Sequence, residues 1–367
     1  MLIVLRILWT AGAQRIAVNE YHWLRRLGYD VKLIFLRKGN ARGYEELLSD
    51  VDYAVVREGH GPLTPLLYLG TKSFARDRGI ESTVDLDLIA KVPGIARREG
   101  ADYLVCHDQF AGIGCLRAKE KHGIPYSVFI HERVVRHSAP ILGGLVDDLE
   151  RRVLAGAARV LAVTDKVAST IREKHGIAAE PNYPGMDRIS DVPFGRRGRR
   201  LIAVSFWDWG RRPEDYLRLV ESLDDYTLLM VGNWRVKGAK ERFLEEVRKR
   251  GMDGRVLLME GVPEGELGKL YDSSMFAVRF GYGEYGLATM TIEAIQHTLP
   301  LIINDELGTA DLVRQCGAGL VTRGVDLERI KEFIRNVDEA TYDALQNNIR
   351  RLQAKYTWES HVRKLVV

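Results

Sequence analysis

The segment 281–313, GYGEYGLATMTIEAIQHTLPLIINDELGTADLV, carries a dense set of residues able to hold a phosphorylated, hydroxyl-rich ligand. Its pattern predicts a strand ending near Phe280, then a glycine-rich turn, then a helix beginning near Thr289. Such a turn presents backbone N–H groups and the positive end of a helix to a phosphate. Glu284 in the turn and Glu293 on the helix supply carboxylates that accept hydrogen bonds from sugar or ribose hydroxyls. The segment alone is equally compatible with a helix cap beside a solvated glutamate.

A second candidate is the arginine pair in VSFWDWGRRPEDY, residues 204–216. Arg211 and Arg212 stand just before a helix predicted to open with Pro213, a residue favoured at the first helical position. Two guanidinium groups beside a helix N-terminus can hold a diphosphate through charge-assisted hydrogen bonds. Taken alone, the pair is also compatible with an ordinary solvated surface.

A third group of candidates follows predicted strands of the first half. His131 comes directly after the apolar strand Tyr126–Ile130, and the carboxyl ends of parallel strands line ligand sites in such folds. A lone histidine is more often structural, but this position favours a functional role. The dipeptide His107-Asp108 ends the preceding strand and is a weaker candidate. Gly12, in the loop 12–15 before the first helix, belongs to a short glycine turn of a kind that is common in Rossmann-like domains and is weak evidence alone.

The elements that must position these residues alternate between strand and helix along the whole chain. Its 367 residues suit two domains. Short apolar strands separated by helices predict parallel sheets covered on both faces. In the first half we predict a helix from about Ile16 to Leu27 and these strands: Leu2–Leu8, Val31–Leu36, Tyr53–Val56, Tyr103–Cys106, Tyr126–Ile130 and Val160–Val163.

The proline- and glycine-rich stretch 181–200 interrupts this alternation and predicts a linker. The alternation then resumes. We predict six further strands, namely Leu201–Ser205, Thr227–Val231, Val256–Met259, Phe276–Phe280, Leu301–Asn304 and Leu320–Thr322. The predicted helices are Pro213–Leu223, Lys240–Arg250, Glu264–Tyr271, Thr289–His297, Ala310–Cys316 and Leu327–Val337, with one or two more in the tail 342–367.

Composition excludes several classes. The net charge of +4 is too small to indicate a nucleic-acid-binding protein, and no apolar run is long enough to span a membrane. The three cysteines, Cys106, Cys115 and Cys316, form no CxxC pair and argue against a disulfide framework and against a zinc site. The cytoplasm is therefore the expected compartment.

Together the motifs resemble family 4 retaining glycosyltransferases, also called group 1. Glu284-Tyr285-Gly286-Leu287 is similar to the family's Glu-x-Phe-Gly, Glu293-Ala294 to its second glutamate, and 308–313 to its Gly-Ile-Pro-Glu-Leu-Val. Eight residues separate Glu284 from Glu293, one more than in the family. Residues 157–187 and Tyr356-Thr357-Trp358-Glu359 resemble two other family passages, so the similarity runs in order along the chain.

The resemblance implies an α/β fold of the GT-B type, two Rossmann-like domains facing each other across a cleft. It divides the chain into an acceptor-binding domain at 1–192, a linker at 193–200, a nucleotide-sugar-binding domain at 201–345 and a C-terminal helix at 346–367 that crosses back toward the first domain.

The resemblance also assigns roles. Arg211, with Arg212 as the alternative match, holds the donor diphosphate, while the family's earlier arginine falls near Phe206 and is absent. Glu293 holds the ribose, and Glu284 and His131 hold hydroxyls of the transferred sugar. The remaining donor-binding residues are Gly12, Tyr285, Gly286 and Leu287.

The expected activity is metal-independent, retaining transfer of a hexose such as mannose or glucose from a UDP- or GDP-linked donor to a glycan or lipid-linked acceptor. No cofactor, metal or nucleic-acid partner is expected. Peripheral contact with the inner face of a membrane is considered because the first half has basic residues around a predicted helix that also carries Trp23, namely Arg25, Arg26, Lys32, Arg37, Lys38 and Arg42. The alternatives are a nucleotide-sugar epimerase of the same fold and a non-catalytic sugar-nucleotide-binding subunit.

Overall fold

The computed structural model describes residues 1–9, 11–39, 47–62, 64, 85–134 and 142–366. Arg42 therefore lies outside the described residues. The chain forms two compact units. The first comprises Met1–Pro184 with Trp358–Val367, and the second comprises Gly185–Thr357.

The first unit is built on a parallel sheet that has seven strands within the described residues, in the order β3-β2-β1-β4-β5-β6-β7. The strands are β1 Leu2–Leu8, β2 Lys32–Lys38, β3 Tyr53–Val55, β4 Leu104–His107, β5 Tyr126–Ile130, β6 Arg159–Ala162 and β7 Glu180–Pro181. The helices are α1 Gly12–Arg26, α2 Leu86–Ile89, α3 Val92–Arg98, α4 Gln109–His122, α5 Leu142–Gly156 and α6 Asp165–His175.

The second unit has a parallel sheet of six strands in the order β10-β9-β8-β11-β12-β13. The strands are β8 Arg200–Val204, β9 Thr227–Val231, β10 Val256–Met259, β11 Phe276–Arg279, β12 Leu301–Asn304 and β13 Gly319–Thr322. The helices are α7 Pro213–Glu221, α8 Ala239–Lys249, α9 Glu264–Ser273, α10 Thr289–Gln296, α11 Ala310–Cys316, α12 Leu327–Asn336 and α13 Glu339–Lys355. The predicted α/β class with two parallel-sheet bodies is confirmed.

The tail forms two helices, α13 and a last helix, α14, at Trp358–Arg363. Residues 345 and 346 lie inside α13. Helix α14 packs in the first unit, where the amide of Asn182 donates a hydrogen bond to the carbonyl of His361 over 3.2 Å.

The first helix begins earlier than its hydrophobic pattern suggests. Residues 12–15 were predicted as a loop, but they form the first turn of α1. The amide of the buried Gln14 donates to the carbonyl of Ile7 over 2.7 Å and so ties this turn to β1. The pattern missed the turn because apolar residues bury only from Ile16 onward.

Two sequence interpretations are wrong for identifiable reasons. Cys106 in β4 and Cys115 in α4 are fully buried and form a disulfide, because α4 packs directly on the sheet. Their spacing along the chain concealed this proximity, and the cysteines no longer support a reducing compartment. The sequence also indicates a solvated basic cluster at Arg196–Arg197 and Arg199–Arg200. Arg197 is instead buried and donates to the carbonyls of Tyr271, Ser274 and His297.

Candidate functional site

In the second unit, the glycine-rich turn after β11 is held by the end of the neighbouring strand. The amide N–H of Gly281 donates to the side-chain oxygen of Asn304 over 2.7 Å, and the Asn304 side-chain amide donates to the Gly281 carbonyl over 2.9 Å. Asn304 is the last residue of β12 and is completely buried. The turn therefore starts from a fixed point at the carboxyl edge of the sheet.

The next part of the turn lies against the loop after β12. A side chain at Gly308 would place its Cβ 2.1 Å from the carbonyl oxygen of Tyr285 and 2.4 Å from that of Gly286. Only glycine allows this approach. The contact sets the backbone of Tyr285, Gly286 and the partly buried Leu287 just ahead of α10.

The carboxylate of Glu284 lies between two arginines. It forms an ion pair with Arg211, and its Oε2 is 2.8 Å from Nη2 of Arg279. Arg279, the last residue of β11, is buried, whereas Arg211 and Glu284 keep 29% and 26% of their side-chain surface exposed. Two guanidinium groups around one carboxylate leave a net positive charge suited to an anionic ligand.

The sequence did not predict Arg279 as a site residue, because a single arginine within an apolar strand belongs to no motif. Its position at a strand end was the available signal.

Arg212 is held separately from Arg211. Its backbone adopts a left-handed conformation with φ of 45°, and its Nε is 3.1 Å from a carboxylate oxygen of the fully buried Asp215. The guanidinium also lies over the ring of Tyr282, 5.1 Å from the centroid, and the hydroxyl of Tyr282 donates to Asp215 over 2.6 Å. Burial and the neighbouring Asp215 raise the pKa of Tyr282 above its usual range, so this hydroxyl remains a donor.

Glu293 lies on α10, a helix whose N-cap residue, Ala288, supplies no side-chain cap. One carboxylate oxygen of Glu293 accepts a hydrogen bond from the hydroxyl of Tyr271 over 2.7 Å. The side chain is partly buried and is thereby held in one orientation.

In the first unit, Gly12 opens α1. The N-cap residue, Ala11, gives no side-chain hydrogen bond to the helix, and Arg25 and Arg26 occupy its last turn. The first turn of a helix built this way presents backbone N–H groups to an anion.

His131 follows β5 and is partly buried. Its Nε2 is 2.9 Å from Nδ1 of His107, the last residue of β4. Burial, together with the neighbouring His107, lowers the pKa of His131 to about 3, so the ring is neutral at ordinary pH.

Asp108, which follows His107, has a backbone φ of 81° and ψ of 161°, a region that side chains other than glycine rarely enter. Its carboxylate accepts from the N–H groups of Phe110 and Ala111 and from Nε of Arg6. These bonds hold a strained residue at the carboxyl end of β4, beside the candidate histidines.

No helix within the described ranges is long and apolar enough to cross a membrane. The same ranges contain no group of three or more histidine, cysteine, aspartate or glutamate side chains placed to hold a metal ion.

Comparison with solved structures identifies the architecture. HepE of Anabaena, in complex with UDP and glucose, matches with a TM-score of 0.74 and 13% identity over 99% of this chain and 96% of its own. Sucrose-phosphate synthase of Thermosynechococcus elongatus matches with 0.73 and 17% over 99% and 96%. The lipopolysaccharide outer core galactosyltransferase WaaB matches with 0.68 and 14% over 99% and 96%. At these identities the likeness establishes the fold.

No curated protein matches the chain by sequence. The family model of the glycosyl transferase 4-like domain does match, over residues 11–182, which include α1, His107 and His131. Residues 11–182 are thus similar to a glycosyl transferase 4-like domain, and the chain as a whole has the GT-B fold of two Rossmann-like units.

Proposed function

We propose that this protein is a retaining glycosyltransferase that moves a hexose from a nucleotide-diphosphate sugar to a glycan or lipid-linked acceptor. The observation that carries the proposal is the cluster of Arg211, Glu284 and Arg279 at the carboxyl edge of the second sheet. Its net positive charge suits a diphosphate, and its carboxylate suits a sugar hydroxyl.

In this proposal the arginines stabilise the leaving diphosphate, on which negative charge grows as the bond to the sugar breaks. Arg211 contacts the diphosphate, and Arg212 supplies a second positive charge. Arg279 supplies a further, buried positive charge beside Glu284. The family's earlier arginine falls near Phe206 and is absent from this sequence.

The carboxylates and the histidine hold hydroxyl groups. Glu293 accepts hydrogen bonds from the ribose, as the matching family residue does, and Glu284 contacts the transferred sugar. In the first unit, His131 is carried over from the family resemblance as a residue that holds a sugar hydroxyl. The backbone at Tyr285, Gly286 and Leu287 supplies N–H groups to the nucleotide sugar. In the first unit, Gly12 is carried over from the family resemblance as a further residue that binds the nucleotide sugar.

We favour a UDP-linked hexose as the donor and GDP-linked sugars as the second choice, because the fold matches HepE, whose structure contains UDP and glucose. Retention of anomeric configuration follows from the family resemblance. Metal independence is proposed because the arginines supply the positive charge that a divalent ion provides in other transferases.

The test is a thermal-shift screen with UDP, GDP, ADP and dTDP sugars, followed by donor hydrolysis and transfer assays in EDTA. A donor that binds the native state raises its melting temperature. We expect one base to dominate the screen and turnover to survive EDTA. Interconversion of the donor's sugar without its release would indicate the epimerase, and binding without turnover would indicate a non-catalytic subunit. Activity only with added metal would contradict metal independence.

Peripheral membrane contact is a separate proposal with a reduced basis. Of the basic residues considered, Arg25 pairs with Asp30, Lys32 with Glu99, Lys38 with Glu58, and the buried Arg37 with Asp85. The guanidinium of Arg26 lies over Trp23, 4.9 Å from the ring centroid. An anionic surface must therefore compete with these carboxylates for most of the cations.

A further inference from the structure

A chain of hydrogen bonds runs through the core of the first unit and ends at His131. Nε2 of His361 lies 2.8 Å from one carboxylate oxygen of Glu20, and Nε2 of His107 lies 2.7 Å from the other. Nδ1 of His107 then meets Nε2 of His131 at 2.9 Å. Glu20 is completely buried, and His107 and His361 are buried almost completely. These hydrogen bonds connect α1, β4, the end of β5 and α14, which are distant from one another in the sequence.

The acceptors along this chain determine where its protons lie. The carboxylate of Glu20 only accepts, so His107 and His361 both donate to it through Nε2–H. Nδ1 of His361 is 3.0 Å from the carbonyl oxygen of Tyr183, a second acceptor. His361 thus has an acceptor at each ring nitrogen, an arrangement that suits a ring with a proton on both nitrogens beside the negative charge of Glu20.

A neutral His107 that donates to Glu20 through Nε2–H keeps a lone pair on Nδ1. With this form of His107, the one proton between His107 and His131 belongs to Nε2 of His131. Among the described residues, Nδ1 of His131 has no hydrogen-bond partner, and this nitrogen is left with a lone pair.

We propose that Glu20 and His107 are positioning residues that fix His131 as a neutral ring with its proton on Nε2, so that Nδ1 accepts a hydrogen bond from a hydroxyl of the sugar. This inference rests on the proposed transferase function. It gives His131 a defined polarity: the ring accepts from substrate and does not donate to it.

The surroundings preserve this arrangement. The ring of Phe129 lies within 4.5–5.7 Å, centroid to centroid, of all three imidazoles. Burial acts to raise the pKa of Glu20, but the hydrogen bonds that it accepts from His107 and His361 help to outweigh burial and hold the pKa well below the usual range. The carboxylate therefore stays ionised and continues to accept hydrogen bonds from both histidines.

The first measurement is the tautomer of His131 in the full-length protein, by ¹⁵N NMR of the histidine ring nitrogens, with the resonances assigned from His131→Gln. We expect Nε2 to carry the proton and Nδ1 to be unprotonated at neutral pH. A proton on Nδ1, or an even mixture of tautomers, would overturn the proposal. The measurement does not depend on turnover, so it remains decisive even if the proposed activity is absent.

Variants then test whether Glu20 and His107 determine the tautomer of His131. His107→Phe and Glu20→Met should each convert His131 to a mixture of tautomers. Glu20→Gln should preserve the single tautomer, because the glutamine carbonyl accepts from His107 while its amide donates to Nε2 of a neutral His361. His175→Phe is the matched control, since His175 is a buried partner of Glu150 that does not touch His131.

Kinetics separate positioning from a structural role. Misplacing a ligand-contacting group slows the chemical step by on the order of tenfold to a hundredfold. We expect kcat to fall by this factor in His107→Phe and Glu20→Met, with the Kd for free UDP unchanged, and to recover in Glu20→Gln. An unchanged kcat with the tautomer lost would refute the positioning role. A wild-type protein without transferase activity would count against the proposed function. The NMR result would still show whether Glu20 and His107 fix the tautomer of His131.

Discussion

Each unit contains a glutamate held between two nitrogen-bearing side chains, and the two differ in burial. Glu284 bridges Arg211 and Arg279 with a quarter of its side chain exposed, whereas Glu20 bridges His107 and His361 with none of its surface exposed. Water reaches the first cluster and weakens its ion pairs, so a ligand can replace the carboxylate on Arg211. The second cluster cannot exchange partners without leaving buried polar groups unsatisfied.

This contrast indicates two different tasks. The exposed cluster of the second unit is suited to binding and releasing an anion, because its internal ion pair costs little to break. The buried chain of the first unit is suited to holding one ring in one protonation state. Variants in the two regions should therefore affect ligand affinity in one case and rate or stability in the other.

The largest effect is expected for Arg211→Ala combined with Arg212→Ala. A hydrogen bond to a charged group contributes about 1.5–3 kcal/mol, so losing both arginines should weaken binding of the nucleoside diphosphate at least about a hundredfold. Binding of the free nucleoside should be unchanged, as measured by calorimetry. Arg250→Ala, which removes an exposed arginine paired with Glu246 and Glu221, is the control. Equal losses for both ligands would contradict the assignment.

Low pH should destabilise the folded protein through the buried hydrogen bonds of Glu20, His107 and His131. His131 has a pKa of about 3 in the folded protein against 6.5 ordinarily, so below pH 6.5 the unfolded state binds a proton that the native state does not. The free energy of unfolding should fall by up to about 1.4 kcal/mol per pH unit from this group. The lowered pKa of Glu20 adds a loss below about pH 4.5.

Urea unfolding of the wild type and His131→Gln between pH 7.5 and 5 measures this difference. The variant should lose less stability over that range. Parallel losses in both proteins would show that His131 does not contribute.

Glu293→Gln should weaken donor binding roughly tenfold, because a hydrogen bond to a neutral amide is weaker than one to a carboxylate by about 1 kcal/mol or more. Calorimetry with the nucleotide sugar measures the change. Glu266→Gln, an exposed residue of α9 paired with Lys269, is the control. Unchanged affinity would indicate that Glu293 has a structural role, such as its hydrogen bond with Tyr271, and does not bind the donor.

Glu284→Gln should act in two directions. Free UDP should bind up to about fivefold more tightly, because a partly exposed ion pair with Arg211 is worth at most about 1 kcal/mol and no longer competes. Transfer should slow, because the carboxylate that we propose holds a sugar hydroxyl is lost. Glu306→Gln, at a residue that accepts from the Gly283 N–H, is the control. Weaker UDP binding in Glu284→Gln would contradict the competition.

The smallest effect is expected at membranes. Cations near an anionic leaflet contribute on the order of 1 kcal/mol each and are screened by salt. Co-sedimentation with phosphatidylserine vesicles should show weak binding at low salt that Arg25→Ser with Arg26→Ser reduces. Pellets without protein at low salt would end this proposal and favour a soluble acceptor.

Much of the fold was predictable because its signals are local. Strands such as Tyr126–Ile130, Thr227–Val231 and Leu301–Asn304 have the predicted bounds, since short apolar runs between helices are characteristic of buried parallel strands. Two α/β bodies followed from chain length and the repeated alternation. The predicted start of the first helix was wrong, because α1 begins at Gly12 while its buried apolar residues begin only at Ile16.

The sequence by itself determined the α/β class, the glycine-rich turn after β11 and the candidate residues at strand ends, because each depends on neighbours within a few positions. Only the tertiary structure revealed that Arg279 pairs with Glu284, that Cys106 bonds to Cys115 and that Arg197 is buried. The chain from His361 through Glu20 and His107 to His131 also required the fold, because it joins residues up to 341 positions apart. Such contacts are set by how helices pack on a sheet, and no local pattern of residue types records that packing.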